Sequence, residues 1–217
     1  METRNPRYGS LISALLLSWL IIVISAAKLL VFKDGRVPAG FAALTPIVIF
    51  VLWSFISPGF RQFIFSLDTR TLTLLQAWRV AGFVWFVAAA YGILPGAFAQ
   101  PAGWGDLAVG LSAPFVAIYL TKLESRRGLL VWQTLGLLDL IMAVTLGVLA
   151  SPRIHLIGNG MTTAALTVLP LSIIPTFGVP LAIIFHIVCI VNLSRSEQTR
   201  RTSLEHPVAP HSVSITR

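Results

Sequence analysis

Six runs of the chain, at about residues 10 to 32, 39 to 57, 71 to 94, 105 to 122, 128 to 150 and 166 to 193, are apolar and near the ~20 residues a helix needs to cross a bilayer. Few folds accept such runs. Backbone polar groups in hydrocarbon must bond to one another, so only helices or closed barrels span it, and barrel strands are about 10 residues long with alternating polarity. The runs show neither property, and the expected fold class is all-α: a polytopic transmembrane helix bundle of six spans. Composition agrees, since 56% of the 217 residues are hydrophobic and 11% charged, too little polar surface for a water-soluble globule. The spans form one domain over residues 1–193, and 194–217 read as a disordered tail. The first run, Leu11 to Phe32, exceeds the roughly 7 to 15 apolar residues of a signal peptide and reads as an uncleaved helix. No soluble catalytic domain fits beside the spans.

Alternate loops differ in charge. One side holds Arg4, Arg7, Arg61, Arg70, Lys122, Arg126, Arg127, Arg195, Arg200, Arg201 and Arg217, and the other Lys33, Arg36 and Arg153. Positive loops stay on the cytoplasmic side, so both termini are expected there. The net charge of +8 is spread over all these loops rather than gathered on one basic face with aromatics. Anionic lipid headgroups, not nucleic acid, are the expected partner. Pro58 to Asp68 is expected to lie along the cytoplasmic interface.

A gapless shift of 94 residues sets Ser57 and Pro58 on Ser151 and Pro152, and Thr69, Leu72, Thr73, Leu75 and Phe83 on Thr163, Leu166, Thr167, Leu169 and Phe177. Three spans per half would give a 3+3 inverted repeat, an arrangement used by secondary transporters. Equal loop lengths alone produce the same register.

Polar residues within the runs are the functional candidates. A charge at the bilayer centre costs about 2.5 to 3.5 kcal/mol even on insertion scales, so each needs a partner. At 1.5 Å rise per residue, Arg79 and Asp139 reach roughly 13 to 17 Å from the cytoplasmic end of their spans, near the midplane. They read as an ion pair, which with the glutamines either fixes which helices pack together or forms a ligand or proton site. Gln76, Gln133 and His186 reach roughly 8 to 10 Å and form a second, shallower layer. Thr69, Thr73, Gln76, Arg79 and Phe83 make one α-helical stripe, as do Gln133, Gly136, Asp139, Ala143 and Gly147, and Ser172, Thr176, Val179, Ile183 and His186. Asp106, Gly110, Ala113 and Ala117 share a face of the fourth span. Lys28 and Asp106 form an outer-boundary polar pair, with Asp106 placed to cap the fourth span after the loop Pro95 to Asp106. Pro170, Pro175 and Pro180 predict a kinked or broken sixth span with a cavity or hinge near Thr176.

Other chemistry finds little support. Cys189 is the single cysteine, which excludes an internal disulfide. His186 is the one histidine within a span, too few for haem ligation. The segment GLSAP, Gly110 to Pro114, lacks the second glycine of a nucleophile elbow, and no zinc-binding cluster occurs. No cofactor or metal is expected.

The stretches LQAWRVAGFVWF, GILPGAFAQPAGWGD, VGLSAP, TLGLLDL and LPLSIIPTFGVPLAIIFH resemble a group of uncharacterised bacterial inner-membrane proteins, over about Arg61 to Asn192. The resemblance implies a six-helix protein of the bacterial cytoplasmic membrane and no known activity. Transport or permeation of a small solute or ion through the midplane site is the leading reading. A membrane-embedded enzyme or quinone-binding protein, with His186, Asp139, Trp78 and Trp132 around an apolar ligand, is the alternative, and an accessory subunit of a larger membrane complex a third; the partners expected beside lipid are a second copy of the chain (a homo-oligomer) or such a complex.

Overall fold

A computed structural model describes residues 6–33, 39–120 and 125–205, and among the described residues the chain is all-helical, with no strand. The helices are α1 (Pro6–Lys28), α2 (Ala39–Ile56), α3 (Pro58–Phe65), α4 (Thr69–Leu75), α5 (Phe83–Ala90), α6 (Gly96–Phe115), α7 (Arg126–Leu149) and α8 (Val179–Glu205). Five helical stretches among the described residues are long and apolar enough to cross a membrane: Tyr8–Lys28, Ala39–Ile56, Thr69–Ala90, Arg126–Leu149 and Ile174–Arg195. Their outward faces are apolar, with Leu17, Ile22, Phe41, Phe55 and Leu135 exposed, a surface that hydrocarbon solvates at no cost.

Local chemistry sets the starts of α3 and α4. The Phe60 amide donates to Ser57 Oγ at 3.3 Å, and Pro58 occupies the first turn of α3, where its missing N–H costs no bond. Asp68 caps α4, accepting from the Arg70 and Thr71 amides at 3.2 and 3.0 Å and from the Thr71 hydroxyl at 2.7 Å. These bonds outweigh the opposing effect of partial burial and hold the Asp68 carboxyl below its ordinary value.

Between α4 and α5 the chain winds as a 3₁₀ helix over Gln76–Gly82. With three residues per turn, Gln76, Arg79 and Gly82 stand one above another, and all three are buried. This corrects the expected stripe at its end. Six steps at about 120° rather than about 100° advance the phase by about 120°, so Gly82 occupies the inner face and Phe83 is 57% exposed.

α6 differs most from expectation. It begins at Gly96, not near 105, and continues as a π-helical turn over Val116–Leu120. The segment Pro95 to Asp106, expected as a loop, is therefore helical from Gly96, and Pro95 rather than Asp106 holds the N-cap position. Burial drives this despite Pro101 within the helix: Phe98, Ala99 and Ala102 join Trp85, Ala88, Leu94, Ala150 and Leu166 in one apolar cluster. Small residues on α6 allow close approach to the 3₁₀ segment, α5 and α7. A second apolar cluster, Phe60, Ile64, Leu72, Val188 and Cys189, closes the opposite end.

The last expected span is broken, in keeping with its prolines. A 3₁₀ turn over Thr163–Thr167, a non-helical stretch and a π-helical turn over Ile174–Gly178 precede α8. α8 then runs beyond Ser194 to Glu205; after Pro180 in its first turn, no glycine or proline occurs before Pro207. The expected tail 194–217 is thus helical in its first part, and residues 206–217 lie outside the described residues.

Candidate functional site

Between the two apolar clusters lies a buried polar core contributed by α4, the 3₁₀ segment, α6, α7 and α8. Its centre is Arg79, 1% exposed. Arg79 Nε donates to Asp106 Oδ1 at 2.7 Å, Nη2 pairs with Asp139 Oδ2, and Nη1 donates to the Gly136 carbonyl at 3.3 Å. The Trp85 indole donates to Asp106 Oδ2 at 2.9 Å, fixing that carboxylate. Glycines make the approach possible. A Cβ on Gly105 would collide with the Asp139 carboxylate, and one on Gly82 with Asp106.

The structure thus brings Arg79 and Asp139 together and places Asp106 with them, in a triad unlike the outer-boundary pair expected of Lys28 and Asp106. Lys28 is exposed at the end of α1, where its charge suits the helix C-terminus. The depth of Asp106 follows from the early start of α6, which puts it ten residues along the helix, about 15 Å from its beginning. Sequence reasoning missed that role because Pro95 and Pro101 resemble loop punctuation. Trp85 carried no signal beyond apolarity.

A second group sits against the triad. Thr73 Oγ1 donates to Thr69 O at 2.7 Å and accepts from Gln133 Nε2 at 2.8 Å. That orientation turns Gln133 Oε1 to His186 Nδ1, 2.6 Å away. The oxygen is an acceptor, so Nδ1 carries the proton and Nε2 presents a lone pair. Gln76 Nε2 donates to Ala182 O at 3.1 Å, one turn before His186, which directs Gln76 Oε1 elsewhere. His186 Nε2 and Gln76 Oε1 are buried without a hydrogen-bond partner, and each such group costs about 1 to 3 kcal/mol. Gly136 joins the groups: its carbonyl accepts from Arg79, and a Cβ there would strike the His186 ring. The Trp132 ring lies 5.8 Å from the imidazole.

Thr176 is buried but donates within its own segment, to Ser172 O at 2.6 Å, and no described hydrogen bond joins it to the core. Gly178, two residues on, leaves no room for a Cβ against Trp78. The π-helical turn therefore packs on the 3₁₀ segment through apolar contact.

The charge balance of the triad is unequal: one guanidinium faces two carboxyl groups, whose side chains are 16% (Asp106) and 12% (Asp139) exposed. With both ionised the centre carries one negative charge beyond what Arg79 offsets.

A family model described as Domain of unknown function (DUF8737) matches residues 36–194, α2 to the middle of α8, with α1 outside it. No curated protein and no solved structure matches the chain.

Proposed function

Since the chain belongs to the family described as a domain of unknown function (DUF8737), which brings no activity with it, we propose from the buried core that it transports or conducts a small solute or ion. The site is the midplane of a six-span bundle in the bacterial cytoplasmic membrane, with both termini cytoplasmic. One observation carries the reading: Asp106 and Asp139 share the single guanidinium of Arg79. A one-to-one ion pair would leave no charge over, whereas this centre has one carboxyl group in excess. A centre with a surplus carboxyl group binds and releases a proton or cation, and an uncompensated charge at that depth costs about 2.5 to 3.5 kcal/mol. The 3₁₀ segment beside it and the π-helical turn that opens the last span supply two irregular elements at which the bundle can open. The 94-residue register is compatible with an inverted repeat.

Asp139→Asn tests the reading, because it removes the surplus charge while leaving Arg79 balanced by Asp106. The variant is expected to fold with near-native thermal stability and to lose about tenfold or more of the flux in proteoliposomes, the equivalent of one buried charge-assisted contact. Unchanged flux in a folded Asp139→Asn protein would remove the proposal.

The contact of Trp132 with His186 favours a second reading, an apolar, quinone-like ligand held near the imidazole. A coloured preparation or a quinone that copurifies with the protein would replace transport by this reading.

A further inference from the structure

The geometry points to a subsite beside Gly136 for one small hydrogen-bond-donating cation of the ammonium class. This rests on the transport reading and names the chemistry of what the centre takes. The orientation of each neighbouring group is fixed by its other bonds. Ala182 O accepts only from an N–H, so Gln76 presents Oε1. Gln133 Oε1 faces His186 Nδ1, so the imidazole presents Nε2 as a lone pair. Both atoms are buried and lack a hydrogen-bond partner, and both side chains are 0% exposed.

Three placements bring them to the same region. Side chains on a helix lean toward its N-terminus, so His186 leans back toward the Ala182 turn on which Gln76 is anchored. Its ring lies over the Gly136 backbone, in the space a Cβ would fill. Arg79, one 3₁₀ turn beyond Gln76, reaches the Gly136 carbonyl. Two acceptors thus stand beside a centre whose surplus charge is negative.

This selects among occupants. Anions are excluded, since both presented atoms are acceptors and the one cation already faces two carboxylates. Sodium and potassium are held by oxygen ligands such as backbone carbonyls, and an imidazole lone pair suits an N–H donor. Ammonium supplies several donors and one positive charge. Water supplies donors without charge and is the competing occupant. Ser172 Oγ, also buried without a partner, belongs to the segment ahead of the π-helical turn and is not part of this subsite.

The test uses the full-length protein in nanodiscs with ammonium chloride as probe and sodium or potassium chloride at equal ionic strength as controls. Ammonium is expected to raise the unfolding temperature saturably and to shift the nitrogen resonance of His186 Nε2, identified by its loss in His186→Gln. Gln76→Leu is expected to raise the half-saturating ammonium concentration about tenfold, as for one buried hydrogen bond. If Gln76→Leu fails to fold, the wild-type Nε2 titration decides alone. Equal protection by potassium, or an Nε2 resonance that ammonium never moves, overturns the subsite. Flux of another solute without ammonium binding defeats this inference and leaves transport standing. Ammonium binding without flux of any ion does the reverse.

Discussion

Gly136 has no side chain because Arg79 and His186 use its surroundings. Gly136→Ala is expected to push the imidazole off Gln133 and to destabilise the protein by about 1 to 3 kcal/mol, through a buried amide left unpaired; thermal unfolding in detergent would measure it. Arg79→Leu is expected to cost more, about 3 to 5 kcal/mol, since it strands two partly buried carboxyl groups. Adding Asp139→Asn should recover part of that loss, and a double-mutant cycle across Arg79 and Asp139 gives the coupling. Arg79 and Asp139 were legible as partners because depth follows from residue count along apolar runs. Asp106 was not, because its depth depends on where α6 begins. A start at Gly96 is decided by burial of Phe98 and Ala102 against Trp85, a tertiary effect that overrides the local signal of Pro95 and Pro101.

At the scale of elements, irregular winding decides which faces meet. The α-helical stripe holds through Arg79 and fails at Phe83, because the 3₁₀ segment runs at another period and the buried position falls on Gly82. Nothing in LTLLQAWRVAGFVWF marks that change: no proline interrupts it, and its one glycine, Gly82, ends the segment. The breaks before α8 were legible through Pro170, Pro175 and Pro180, whose missing donors act whatever packs around them. The start of α4 rests on Asp68, and Asp68→Ala is expected to cost about 1 kcal/mol. Its pH dependence has a definite sign. The folded carboxyl titrates below its ordinary value of 3.8, so the cap's contribution is present above that value and is lost as pH falls through the lower, folded one. Wild-type and Asp68→Asn melting temperatures should therefore converge in acid, and a gap that persists there would assign the effect to packing.

Across the whole molecule, α1 stands apart. It lies outside the matched family region, and its ring contacts are Tyr8 on Phe63, 6.0 Å between centroids, and Trp19 on Phe177, 4.6 Å between centroids, in the π-helical turn. Trp19→Ala is expected to leave the buried core folded and to alter flux if that turn moves, read as transport rate against unchanged melting temperature. Sidedness is open to direct measurement. Cys189 is buried, so cysteines introduced at Ser66 and Tyr91 should react with an impermeant thiol reagent from opposite faces of sealed vesicles; labelling from one face would refute the topology. The seven residues Gln76–Gly82 also have a mechanical meaning. At a rise of about 2.0 Å each they extend about 14 Å, against about 10.5 Å were they α-helical. Rewinding them would shorten this strut by about 3.5 Å and swing Arg79 away from Asp139. The Arg79 to Asp139 pair is thus one that the stretched pitch allows and an α-helical pitch over the same seven residues would not.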